Sequence, residues 1–177
     1  MLFRSNGKSG SLVFVTVTHD IYANEVFVLS EEQDIVYREA GAPGVKAPAL
    51  PVLGHEPEWS HKIMADPVLL FRFSALTFNS HRIHYDRDYA VNEEYYPDLV
   101  VHGPLLAIFV MDQVRQRYPQ ATVESFSFRM VGPTFVNTKI VINGSQNGKD
   151  LFLRVVNAEG GLSLKATVKF KLEENGH

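Results

Sequence analysis

The sequence predicts an α+β fold in which one apolar helix is followed by four antiparallel strands that curve around it. Two stretches predict this. PLLAIFVMDQVRQRYP, from Pro104, is apolar on every side from Leu105 to Met111 and carries charge only later, at Asp112, Arg115 and Arg117. A helix of that kind must be wrapped by other structure. In the last segment Leu162, Leu164, Ala166, Val168, Phe170 and Leu172 alternate with Ser163, Lys165, Thr167, Lys169 and Lys171. That two-residue period gives a strand with one buried and one wet face.

The remaining elements follow in chain order. Residues 11–39 are rich in Val, Phe, Ile and Thr and are broken at Asn24 and at the polar cluster Ser30 to Gln33, which predicts three short strands. Residues 40–57 hold Pro43, Pro48, Pro51 and Pro57 with Gly41, Gly44 and Gly54, a composition that suits a linker or long loop. A strand is expected from Trp59 to Met64. Asp66-Pro67 then predicts a helix start, because aspartate accepts orphan N–H groups and proline tolerates the first helical position. That helix should run through Leu76. Thr77 to Gly103 lacks a sustained period and predicts loops with a short helix near Asp88 to Glu94. Beyond the apolar helix, Phe126, Phe128 and Met130 form one strand face, and Val136, Thr138, Ile140 and Ile142 another. Asn143-Gly144 and Asn147-Gly148 mark tight turns. The domain expectation is therefore residues 1–39, a linker at 40–57, and a main domain at 58–177.

Composition narrows the function. The 177 residues are 45% hydrophobic and 21% charged, with 17 Lys+Arg against 20 Asp+Glu for a net charge of −3. No long single-sign block exists, which argues against a nucleic-acid or anionic-membrane surface. The absence of cysteine removes disulfides, thiol nucleophiles and Cys-ligated zinc, so histidine and carboxylates are left as reactive groups. The N-terminal residues lack an extended apolar region followed by a cleavage site, and an unexported, soluble chain is expected.

Three of the seven histidines, His81, His84 and His102, fall in the irregular stretch leading into the apolar helix. His81 and His84 are three apart, so a local helical turn puts both imidazoles on one side, where they could share proton transfer near neutral pH. With Asp86 and His102 they also offer enough ligands for zinc or non-haem iron, but the spacing matches no strong metal signature and no metal is expected. The structural alternative is that these histidines bond loop backbone and pack under Tyr85, Tyr89 and Tyr95. His102-Gly103-Pro104 sits where the helix begins. Its free N–H groups and positive partial charge suit an oxyanion, and Gly103 permits close approach of a carbonyl. A plain helix start with glycine for the bend is the alternative.

FSALTFNSHRIHYDRDYA, Phe73 to Ala90, and LVVHGPLLA, Leu99 to Ala107, resemble the MaoC-like acyl-thioester hydratases and dehydratases of the hotdog fold. The similarity is greatest to the branch with fungal-type 3-hydroxyacyl-thioester dehydratase 2 and the mesaconyl-CoA and itaconyl-CoA hydratases. On the family pattern Asn79 falls at the catalytic Asp, His81 at the Asn, His84 at the catalytic His, Asp86 at a second Asp, and Gly103 at the oxyanion-hole glycine. Asn79 and His81 depart from the broader family but match the Asn-x-His-x-x-His form of this branch.

The resemblance implies a hydro-lyase that adds water reversibly to an enoyl thioester, mesaconyl-CoA or a related branched substrate included. No cofactor is implied, because CoA or a carrier-protein pantetheine enters as part of the substrate. His84 would carry the proton, Asn79 orient the water, His81 supply the second acid/base group and Gly103 N–H hold the thioester oxygen. His102 and Arg82 are expected to bind substrate, and Asp86 to cap the next helix. Residues 1–39 resemble the closing strands of a non-catalytic first hotdog, and so open an edge that invites a homodimer or larger assembly. The alternative class is a catalytically weakened hotdog that binds acyl thioesters or a partner subunit. A thioesterase fits the residue pattern less well. The expected location is the cytoplasm in a bacterium or the mitochondrion in a eukaryote.

Overall fold

Three antiparallel strands open the chain: β1 (Leu2–Gly7), β2 (Gly10–Ala23) and β3 (Val26–Arg38), hydrogen-bonded in that order. The structure, a computed structural model, describes residues 2–7, 10–38 and 56–171. Contacts divide the chain into two units, Met1–Val45 and Lys46–His177. Most of the proline-rich linker expected at 40–57 lies outside the described residues.

The first unit differs from expectation in where it breaks. Asn24 and Glu25 both take positive φ, 49° and 66°, as a two-residue hairpin turn requires. At Ser30 to Gln33, however, β3 runs on without interruption. Its polar residues meet polar partners across the ladder, Asp20 opposite Ser30 and Thr18 opposite Glu32. Thr16 Oγ1 donates to Asp34 Oδ1 at 2.6 Å. Cross-strand pairing of this kind satisfies polar side chains on an exposed ribbon without a turn.

The second unit is a five-stranded antiparallel sheet in the order β4-β6-β7-β8-β5. Its strands are β4 (Trp59–Ile63), β5 (Val123–Met130), β6 (Ile140–Asn147), β7 (Asp150–Val156) and β8 (Leu162–Phe170). Three helices lie between β4 and β5: α1 (Pro67–Thr77), α2 (Arg87–Asn92) and α3 (Gly103–Arg117). Leu106, Val110 and Val114 of α3 are buried in one cluster with Ile140 and Ile142 of β6, Leu151, Leu153 and Val155 of β7, and Leu164 and Val168 of β8. Each such side chain contributes roughly 1.5–3 kcal/mol by leaving water.

α1 starts as its sequence dictates, with Leu69 N–H donating to Asp66 Oδ1 at 2.7 Å and Pro67 in the first turn. It ends at Phe78, whose φ of 52° stops the helix. Three expectations are corrected. Val136 and Thr138 do not belong to β6, because Asn137 takes φ 57° and the strand starts only at Ile140. Asn143-Gly144 is not a turn but lies in the middle of β6, with the Trp59 indole over the glycine; the turn comes at Gly148, φ 62°. Finally, α3 is not wrapped on every side, since Ile108 is 49% exposed. Among the described residues no helix is long and apolar enough to cross a membrane.

Candidate active site

The loop after α1 is tied down by its own backbone. Asn79 N–H donates to Ser74 O at 3.0 Å, and Asn79 Oδ1 accepts from His81 N–H at 3.1 Å. This turn closes on one helical step of 3-10 type, Arg82–His84. The Asn79 carbonyl oxygen is therefore engaged, and its amide NH2 is the end left to donate outward.

Val100 holds His84 from two directions. Its N–H donates to Ile83 O at 3.0 Å, and its carbonyl accepts from His84 Nδ1 at 2.7 Å. A carbonyl cannot donate, so the bond assigns the proton to Nδ1 and the lone pair to Nε2. His84 is 8% exposed. Burial pushes its pKa below the ordinary imidazole value, with the Val100 bond opposing and nearby His81 adding to the drop. His84 is thus a neutral imidazole with a fixed tautomer, the state a general base requires.

His81 and His84 do come together, with ring centroids 5.6 Å apart and edge to face. His81 is exposed, whereas His84 is buried. His102, expected to bind substrate, has no exposed area. Its ring stacks on His84 at 3.7 Å and 18°, and its Nε2 lies 2.8 Å from Ser74 Oγ. Arg82 is likewise occupied, since its Nε and a terminal nitrogen both donate to Asp86 Oδ2 at 3.0 and 2.7 Å, and its guanidinium lies over the Tyr89 ring. Asp86 caps α2 as expected, accepting from Tyr89 N–H at 3.1 Å.

Gly103 is the first residue of α3, so its N–H has no acceptor within the helix. A Cβ there would come within 3.1 Å of Met130 Cγ and Sδ. Among the described residues no group of three or more His, Cys, Asp or Glu is arranged to hold a metal ion. Ser74 was not predicted. The available signal was its spacing: Leu70 and Ser74, four apart, are the buried residues of α1, so the hydroxyl occupies the helix face that packs inward.

The residues match the family model of hydroxyacyl-thioester dehydratase type 2 over 4–136. The chain belongs to that family. It is 47% identical over 169 residues to the mesaconyl-C(4)-CoA hydratase of Chloroflexus aurantiacus, covering 94% of this chain and 59% of that protein. It is 40% identical over 94 residues to the mitochondrial hydroxyacyl-thioester dehydratase type 2 of Schizosaccharomyces pombe, covering 52% of this chain and 31% of that protein. The chain thus spans about three fifths of one relative and less than a third of the other. In structure it is similar to the MaoC-like dehydratase from Phytophthora capsici, with a TM-score of 0.74 at 13% identity, over 98% of this chain and 61% of that one. The type 2 dehydratase family and the hotdog architecture agree with the resemblance read from Phe73 to Ala107.

The burial of His102 has a consequence for stability. Burial, with His84 beside it, pushes its pKa down from 6.5 to about 4. The folded chain keeps this ring neutral where the unfolded chain protonates it, so the unfolded state binds more protons below pH 6.5. Its contribution to stability is complete above that pH and is lost as pH falls toward about 4. The expected result is a lower urea midpoint at about pH 5 than at about pH 7.5, with a flatter dependence in His102→Phe.

Proposed function

We propose that this chain catalyses the reversible hydration of an enoyl thioester, and that the mesaconyl-C4 thioester or a related branched acyl group is its substrate. The observation that carries this reading is His84, buried, neutral and aimed by Val100, on the loop bonded to the strand-like segment that leads into α3. Water loses a proton to His84 Nε2 as its oxygen bonds to the β-carbon. The π electron pair moves to the thioester oxygen, where Gly103 N–H and the positive end of α3 stabilise the charge. The α-carbon then takes a proton from His81 as the thioester carbonyl re-forms, and the proton held by His84 passes to His81, whose ring lies 5.6 Å away, so that both imidazoles return to their starting state. The Asn79 amide NH2 donates to the attacking water. Dehydration is the same path reversed. No redox cofactor is needed, and CoA or a carrier-protein pantetheine arrives as part of the substrate. A soluble compartment, cytoplasmic in a bacterium or mitochondrial in a eukaryote, suits such a substrate.

The test is loss of the ultraviolet absorbance of mesaconyl-C4-CoA and crotonyl-CoA, measured separately. A decay with either thioester supports the reading, and the faster one names the acyl class. No decay with a folded protein would favour an acyl-thioester-binding or subunit-interaction module instead.

The same reading includes a homodimer or larger assembly. Supporting it are the exposed apolar side chains Tyr22, Phe27, Leu29 and Tyr37 on β2 and β3, and Leu76 and Phe78 at the end of α1, 82% and 94% exposed. Apolar exposure on this scale marks interaction surfaces. Sedimentation velocity should give at least twice the 19.9 kDa chain mass; a monomer would overturn this part.

A further inference from the structure

His84 has one ring nitrogen fixed by Val100, but a single hydrogen bond leaves the ring plane free to swing about it. What restrains the plane is the His102 ring, 3.7 Å away and within 18° of parallel. That platform is itself held on two sides. Phe73 meets it edge to face at 4.8 Å and 65°, and Ser74 Oγ lies 2.8 Å from Nε2. The other nitrogen of His102, Nδ1, is buried without a partner among the described residues. An unpaired lone pair costs less than an unpaired N–H in the interior, so the proton belongs on Nε2, which donates to Ser74.

We propose that Ser74 is a positioning residue for the hydration reaction: by accepting from His102 Nε2 it locks the ring on which His84 is stacked, and so fixes the direction of the His84 Nε2 lone pair. Ser74 and His102 do not touch substrate. They act through His84, and the idea rests on His84 being the base of the proposed reaction. Removing the hydroxyl strands a buried N–H, and His102 must then turn or tilt to satisfy it. Among the described residues the charged or titratable groups facing His84 are His102, stacked on its ring, and His81, whose ring is perpendicular to it at 5.6 Å. Orientation therefore depends on packing and this one relay. Misplacing a reacting group by a fraction of an ångström to an ångström costs up to about 100-fold in rate.

Three variants of the full chain test it: Ser74→Ala, Ser74→Thr and His102→Phe, with Ser74→Ala also made on the His102→Phe background. Ser74→Ala should lower kcat for mesaconyl-C4-CoA hydration by about 10- to 100-fold with KM changed by less than about twofold. Ser74→Thr, which keeps the hydroxyl, should recover most of the loss. Because Ser74 acts through His102, the double variant should be no slower than His102→Phe alone. Nitrogen-15 spectra give a readout independent of turnover: the His84 ring resonances should shift and broaden in Ser74→Ala and return in Ser74→Thr. Unchanged His84 resonances, or losses that multiply in the double variant, would overturn the proposal. Wild-type protein that hydrates no thioester would instead overturn the function, and the spectra would still decide whether Ser74 positions His84.

Discussion

His84→Ala is expected to lower enoyl-thioester turnover by about 10²- to 10⁴-fold, the range a positioned general base supplies. The expectation comes from geometry. Nδ1 is committed to Val100 O at 2.7 Å, Nε2 is left as the basic nitrogen, and burial keeps the ring neutral at the pH where it must accept a proton. The fold should survive. The substitution removes the stack on His102 and leaves the Val100 carbonyl without its side-chain partner, which costs about 1–3 kcal/mol, but the second tie between this loop and Val100, from its N–H to Ile83 O, is backbone and remains. Circular dichroism and the urea midpoint of the variant separate a chemical loss from unfolding. His81→Ala should cost less, because that ring is exposed and water can deliver the α-proton in its place. Because the pKa of His84 is lowered, the rising limb of kcat/KM with pH should lie below the ordinary imidazole range. A His84→Ala protein with wild-type turnover would remove the mechanism.

The parts of this arrangement that were legible in the sequence are those whose signal is local. Asp66-Pro67 announced α1 because capping depends on neighbours within one turn. The alternation from Leu162 to Phe170 announced β8 because one face meets the α3 core and Lys165 and Lys169 on the other meet water, although Ser163 on that second face is buried. His84 and Gly103 stood out by residue type, an imidazole suited to proton transfer and a glycine at the start of α3. The failures have a common physical cause. Ser30 to Gln33 resembled a break because both faces of β3 are exposed there, and polar residues that pair across a ribbon have the composition of a turn. His102 was expected to bind substrate, and its burial was not foreseen, since nothing local records that Ser74, 28 residues away, holds it in the interior. Arg82 was expected to bind substrate, although its partner Asp86 was four residues along and within reach as a helical pair.

Asn143-Gly144 shows the same cause most sharply and leads to the second large effect, on stability. A turn would ask Gly144 for positive φ, but the residue lies in mid-strand opposite Trp59, and its missing side chain makes room for the indole. A Cβ on Gly144 would overlap the Cζ2 and Cε2 atoms of Trp59. Neither atom is the end of a flexible chain. The ring is rigid, lies against the hydrophobic core, and has the Arg117 guanidinium 4.1 Å from its centroid. Gly144→Ala must therefore expel the indole or part β4 from β6, and it is expected to cost about 3 kcal/mol, the upper end for overpacking a buried site. The chain has one tryptophan, so its emission reports this contact alone. Urea unfolding of Gly144→Ala should show a lower midpoint and a red-shifted native emission. Trp59→Leu on the Gly144→Ala background should recover part of the loss, because a smaller side chain leaves space for the new methyl. A Gly144→Ala protein with wild-type midpoint and emission would mean that the indole does not lie on Gly144, and β4 would then need a different register against β6.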